Sequence, residues 1–324
     1  MSKIMHRVAA MASIAVCGAV LTTAGAAQAA DKLSVGFAQV GSESGWRAAE
    51  TKTAKLRATQ DGVDLRISDA QQKQENEIKA IRAFIAQGMD GIFLAPVVAT
   101  GWDSVLREAK EAKIPVFLLD RQIETGDQSL YTAAVTSDTI HEGHMIGDYL
   151  ATLTHNKCRI VELQGTVGSS PAINRKKGFE EAIAAHPDMK IVRSQSGDFT
   201  RAGGKQVMES FIKAEDGGKQ ICAVYAHNDD MGIGAIQAIK EAGLKPGKDI
   251  LVVSIDGVPD MFKAMSEGEA NGTVELSPDM AGPALKALVA LKAGTQPAKW
   301  IKTPSTLYTP ATAAAEYTRR VPLY

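Results

Sequence analysis

Residues 223–257 read AVYAHNDDMGIGAIQAIKEAGLKPGKDILVVSIDG. A short apolar run at 223–227 meets the polar cluster Asn228-Asp229-Asp230, a helix-period segment follows at 230–241, and a second apolar run at 251–255 ends in Asp256-Gly257. Strand, helix, strand at this spacing is a βαβ unit, with parallel strands and the helix on one face. The alternation continues in both directions. Strands are expected near 159–163 and 190–194, with helices near 140–153, 174–185, 203–213 and 259–266. An earlier round of the same pattern places strands at 33–39, 63–68, 91–95 and 115–119. Between them lie amphipathic segments such as 75–87, where Ile78, Ile81, Phe84 and Ile85 recur at helical spacing. The reading is an α/β protein of two successive doubly wound parallel-sheet units. No long Pro/Gly/Ser stretch separates them, so short, defined connections are expected. A further helix at 280–291 follows the second unit's last strand, and the pattern alone does not assign it to either unit.

The N-terminus departs from this pattern. Lys3 and Arg7 precede an apolar run from Val8 to Leu21, and Ala27-Gln28-Ala29 is a small-x-small cleavage signal before Asp31. The run is about 14 residues where a spanning helix needs about 20, so residues 1–30 are expected to be a signal peptide that is removed. Ile14-Ala15-Val16-Cys17 loosely resembles a lipid-attachment box, but Val16 is a poor residue before such a cysteine. Of the 324 residues, 45% are apolar and 23% charged, with 36 basic and 37 acidic side chains. Without residues 1–30 the chain keeps 34 basic and 37 acidic residues, a net charge of −3. That balance offers no basic face for nucleic acid. An exported, soluble protein is expected, and with it an oxidising compartment. Beyond residue 30 the only cysteines are Cys158 and Cys222, each just ahead of a strand-like run and with no C-x-x-C. A Cys158–Cys222 disulfide is therefore expected at one end of a sheet.

Ligands of open α/β sheets bind outside the carboxyl ends of the strands, so the residues standing there are informative. In the first unit these are Glu43-Ser44-Gly45-Trp46-Arg47 and Asp120-Arg121. In the second they are Gly197-Asp198-Phe199, His227-Asn228-Asp229-Asp230, Asp256-Gly257 and Glu275. Asp and Asn at strand ends are commonly helix caps and turn formers. Their joint recurrence with arginines and aromatic rings is instead what a sugar demands: paired donors and acceptors for hydroxyls, and flat apolar faces for ring C–H groups. Enzyme signals are weak. There is no G-x-G-x-x-G, P-loop, G-x-S-x-G or H-E-x-x-H. His141 and His144 have no third metal ligand in view. Asp120 and Asp256 as a glycosidase pair would need one raised carboxyl, which Arg121 beside Asp120 opposes.

The strand-end segments, together with 71–102 (QQKQENEIKAIRAFIAQGMDGIFLAPVVATGW) and 162–170 (ELQGTVGSS), carry a resemblance that spans almost the whole chain after residue 30. The chain resembles the periplasmic sugar-binding proteins of ABC transporters, of the ribose- and galactose-binding type. The resemblance implies two lobes joined by three crossovers, 31–137 plus 277–304 and 138–276 plus 305–324, with sugar held between them. It assigns the 280–291 helix to the first lobe. It matches Glu43, Arg47, Asp120 and Arg121 to hydrogen-bonding positions of the first lobe and Trp46 to a stacking aromatic. In the second lobe it matches Arg175, Asn228 and Asp256 to polar ligands and Phe199 to the opposing aromatic. Glu275 falls where ribose-binding relatives carry Gln, and Arg47 replaces one of their aromatics. Both departures favour a more hydroxylated furanose than ribose, with galactofuranose the expected ligand. No calcium loop is visible, so no metal and no cofactor are expected. The implied protein is a periplasmic monomer and not an enzyme, its partners a monosaccharide and the permease and ATPase subunits of an inner-membrane importer. A sugar sensor docking on a membrane receptor shares every one of these features. A repressor of the LacI type, which shares the fold, would need an N-terminal helix-turn-helix and a basic surface.

Overall fold

The computed structural model describes residues 32–324; the expected signal peptide, with Cys17 and the cleavage signal, lies outside the described residues. The first sheet contains β1 (Ser34–Gln39), β2 (Asp64–Asp69), β3 (Gly91–Leu94), β4 (Val116–Leu119), β5 (Ala133–Thr136) and, from far along the chain, β11 (Trp300–Lys302), in the order β11-β5-β4-β3-β1-β2. All its pairings are parallel. The second sheet contains β6 (Lys157–Gln164), β7 (Asp188–Ser196), β8 (Ala223–Ala226), β9 (Leu251–Asp256), β10 (Gly272–Leu276) and β12 (Ser305–Tyr308), in the order β12-β10-β9-β8-β6-β7. Here β12 runs antiparallel to β10 and the remaining pairs are parallel.

Helices fill the connections: α1 (Gly45–Gln60), α2 (Gln74–Ala86), α3 (Asp103–Glu111), α4 (Thr139–Leu153), α5 (Ser170–Ile183), α6 (Arg201–Ala214), α7 (Asp229–Glu241), α8 (Pro259–Ser266), α9 (Ala281–Lys292) and α10 (Ala313–Arg320). The chain passes between the sheets three times: from β5 to α4, from β10 to α9, and from β11 to β12. The helix that periodicity could not assign, α9, packs on α1, β3 and β4 of the first sheet.

The central strands are short and entirely buried, as in GIFL (β3), VFLL (β4) and AVYA (β8), because helices cover both faces of a parallel sheet. On one face of the first sheet Phe37, Phe93 and Phe117, register partners on β1, β3 and β4, meet edge to face. The other face, with Ile92, Leu94 and Leu118, packs against Ile81, Phe84 and Leu106 of α2 and α3. Removing one such phenyl ring would cost about 3–5 kcal/mol.

Two differences from expectation have identifiable causes. The helix read at 174–185 begins at Ser170, because Pro171 occupies its first turn, where a missing N–H costs nothing. The strands β5, β11 and β12 are three or four residues long and show no period of their own. They are held by neighbours, not by local pattern. The expected Cys158–Cys222 disulfide is formed and ties β6 to the residue just before β8.

Candidate functional site

The carboxyl ends of the two sheets face each other across a cleft with about 270 Å³ of empty space, part of it open to solvent. From the first lobe it is lined by Glu43, Ser44, Trp46, Arg47, Asp120 and Arg121, and from the second by Pro171, Arg175, Phe199, Asn228, Asp256, with Leu276 at a crossing.

Each first-lobe residue is placed by the turn from β1 into α1 or by the end of β4. Ser44 caps α1, its Oγ accepting from the Arg47 N–H, which sets Trp46 and Arg47 in the first turn. Arg47 is buried and bonds three carboxylates: Glu43 at 3.2 Å, Glu50 at 2.5 Å and Asp120 at 2.5 Å. Burial alone would lower its pKa, but Asp120, Glu50 and Glu43 outweigh it and hold the guanidinium well above its ordinary value. Arg121 donates to the Val97 carbonyl at 3.0 Å and to Glu43 Oε1 at 3.3 Å. Burial and the neighbouring Arg47 charge push its pKa down. Trp46 donates from Nε1 to the Leu276 carbonyl at 2.7 Å.

In the second lobe, Arg175 on α5 donates to Glu142 at 3.0 Å, to the His227 carbonyl at 2.6 Å and to Asp256 at 3.5 Å. Asp256 is buried, and burial outweighs Arg175 to hold its carboxyl well above the usual carboxylate range. Asn228 caps α7 through Oδ1 and donates from Nδ2 to the Phe199 carbonyl, so its cap role and its place in the cleft coexist. Phe199 lies flat over Gly165 at the end of β6, where any Cβ would stand 1.9 Å from its ring. Arg121 of the first lobe sits over this Phe199 ring, 5.4 Å from its centre.

Nine of the ten sequence-expected residues thus line one cavity. Glu275 does not: its carboxylate pairs with Arg320 at 2.8 Å and accepts from Tyr308 at 3.3 Å. Its strand position was read correctly, but the aim of its side chain was not, because Arg320 arrives from a helix with no sequence mark of its role. Ser44, Pro171 and Leu276 were not singled out, although the helix-start pattern Ser169-Ser170-Pro171 is visible in the chain. Two buried polar atoms of the lining, Glu43 Oε2 and Arg121 Nε, have no hydrogen-bond partner. Among the described residues no cluster of three His, Cys, Asp or Glu side chains is arranged to hold a metal. His144 pairs with Glu181 on the exposed face of α4, away from the cleft.

Two lobes of this topology enclosing a small polar cavity define a substrate-capturing protein of the periplasmic type. The family model described as "Periplasmic binding protein domain" matches residues 35–296, and the chain belongs to that family. It is 66% identical over 290 residues to the galactofuranose-binding protein YtfQ of Escherichia coli (strain K12), covering 89% of this chain and 91% of that protein. Among solved structures, a galactofuranose binding protein superposes with a TM-score of 0.89 at 66% identity, covering 90% of this chain and 99% of that one. The periplasmic component of the arabinose ABC transporter from Shewanella sp. ANA-3, bound to α- and β-L-arabinofuranose, gives 0.87 at 57% identity, covering 89% and 96%.

Proposed function

We propose that this chain is the periplasmic substrate-binding component of an ABC sugar importer and that its ligand is a furanose, galactofuranose in the first instance. The observation carrying the reading is the pairing of Arg47 with Asp120 in one lobe and Arg175 with Asp256 in the other, both facing one cavity that also holds Trp46 and Phe199. The unpartnered Glu43 Oε2 and Arg121 Nε are an acceptor and a donor awaiting a hydroxyl. Relatives that share most of the chain are named for furanose sugars.

Glu43, Trp46, Arg47, Asp120, Arg121, Arg175, Phe199, Asn228 and Asp256 are the contact residues of this reading, with Glu275 acting behind them through Arg320. The lobes are 31–137 plus 277–304 and 138–276 plus 305–324, a division supported by the pairing of β11 with β5 and β12 with β10. Sugar bridging both lobes favours the closed arrangement over the open one, and the closed form is what the permease recognises before the ATPase drives import. The protein works as a monomer in the periplasm after loss of residues 1–30, without metal or cofactor.

Calorimetry with galactofuranose, L-arabinofuranose, ribose and pyranose sugars tests the reading. Asp120→Ala or Asp256→Ala should cost about 2–5 kcal/mol of sugar affinity, the scale for removing one partner of a buried charged network. Unchanged affinity in both variants would place the sugar elsewhere.

A further inference from the structure

Outside the sugar cavity a single buried carboxylate spans the two lobes. Asp230 is the second residue of α7 and only 4% exposed. Its Oδ1 accepts from Arg201 at the start of α6, from Nε at 3.1 Å and Nη2 at 2.9 Å, and Arg201 is held in turn by Asp260 of α8 at 2.9 Å. Three second-lobe helices therefore fix this carboxylate, and its free oxygen points across the cleft. There Oδ2 accepts from the N–H of Gly45 at 2.7 Å, in the first turn of first-lobe α1. That N–H is one of the donors a helix leaves unpaired at its start, where the dipole also favours negative charge. The next two residues, Trp46 and Arg47, line the sugar cavity. Gly45 itself leaves the space required, since a Cβ there would stand 3.3 Å from Asp230 Oδ2. Other rim contacts between the lobes are the Ala99 N–H to the Gly168 carbonyl and the Gln122 N–H to Ser170 Oγ, both 2.8 Å and uncharged, and the exposed Lys52 ammonium of α1, which donates to the Pro322 carbonyl at 3.3 Å and to Tyr324 O at 3.0 Å.

We infer that Asp230, held by Arg201, is the residue that sets how long the closed lobes stay closed, acting on the N-terminus of α1 without touching the sugar. The inference rests on the sugar-binding reading for its ligand only. A charge-assisted bond present in the closed form and absent in the open one shifts closure by its own strength, and through closure the sugar off-rate. Because Asp230 meets no sugar atom, every bound sugar loses affinity by the same factor.

The test is calorimetry and stopped-flow tryptophan fluorescence with galactofuranose and L-arabinofuranose. Asp230→Ala should weaken both roughly 10–100-fold, the equivalent of a charged hydrogen bond. The loss should appear in the off-rate, with the ratio between the two sugars unchanged. Gly45→Ala leaves the second lobe intact and places a better helix former in α1. It should nevertheless weaken binding several-fold in the same direction, which guards against a fold defect in the first variant. Off-rates within about twofold of wild type in both variants would overturn the inference, and so would a changed ratio between sugars. A wild type that binds no sugar sinks the functional reading alone. Small-angle scattering without ligand then decides the latch, an expanded Asp230→Ala protein supporting it and an unchanged radius overturning it.

Discussion

In the first lobe the strand-end carboxylate Asp120 lies 2.5 Å from Arg47; its counterpart Asp256, on the strand holding the same place in the second sheet, lies 3.5 Å from Arg175. Both aspartates adopt positive φ, 62° and 130°, two different backbone conformations that each cost about 1–3 kcal/mol, so strain stands at the same strand end of both sheets. Both arginines are backed by a buried glutamate, Glu50 or Glu142. The difference lies in what surrounds each pair. Arg47 meets three carboxylates, whereas Arg175 divides its donors between two carboxylates and a backbone carbonyl. The first lobe thus offers a locked ionic network, and the second a carboxyl that burial holds toward its protonated form. In the proposed sugar site the first would act as an acceptor, while the second, where its carboxyl keeps its proton, would also donate.

The largest expected effect concerns a tie found on one side only. The second lobe carries a disulfide between neighbouring strands, and the corresponding strands of the first sheet, β1 and β3, carry none. Cys158→Ser with Cys222→Ser should lower unfolding stability by about 4 kcal/mol in calorimetric melts, from a loop of 64 residues. Sugar affinity should stay within about twofold, because the bridge lies at the opposite end of the strands from the cleft.

Next comes the contrast between the two aspartates. Asp120→Asn keeps shape but removes charge from the tight network and should cost about 3 kcal/mol of sugar affinity by calorimetry. Asp256→Asn should cost under about 1 kcal/mol. Equal losses would erase the acceptor-and-donor distinction.

A third comparison concerns buried carboxyls behind the site. Burial raises Glu77, which accepts from the Val97 N–H in the first lobe, to about 8, and raises Asp229, behind β8, to about 7. A carboxyl raised on folding keeps a proton that the unfolded chain releases, so its contribution to stability falls as pH rises from the unfolded value near 4.5 toward 8. Between pH 5 and 7 wild type should lose roughly 2–3 kcal/mol relative to Glu77→Gln, read from urea unfolding at both pH values. A parallel pH course for the two proteins would remove Glu77 from this role.

The smallest effect separates the aromatic walls. Trp46→Phe keeps a ring but loses the bond to the Leu276 carbonyl, and should cost about 1 kcal/mol of affinity. Phe199, which has no polar atom, is held by packing over Gly165.

Much of this comparison is legible in the chain. The buried runs GIFL, VFLL and AVYA and their polar successors announce parallel strands with a cleft at their carboxyl ends, and eight of the nine expected lining residues stand at those positions, whereas Arg175 on α5 is reached only through the family resemblance. What sequence does not reveal is aim and partnership. Glu275 is a strand-end acid like Asp256, yet it turns to Arg320 some 45 residues later, a contact that only the folding of the second lobe creates. Asp230 reads as an ordinary helix-start acid, because its partner at Gly45 lies 185 residues away. The edge strands β11 and β12 are too short to carry a pattern and exist because a neighbour offers them hydrogen bonds.

The threefold passage between sheets also orders events in time. A chain made from its N-terminus onward produces β1 to β5 early but lacks α9 and β11 until the second sheet's first five strands have been made. Until Leu288 and its neighbours on α9 arrive, the face of β3 and β4 that they cover stays open, so the first lobe cannot finish folding before most of the second has been made. Synthesis therefore completes both lobes near the end of the chain, the first with β11 and the second only with β12 and α10, and truncation at either of the first two crossings leaves neither complete.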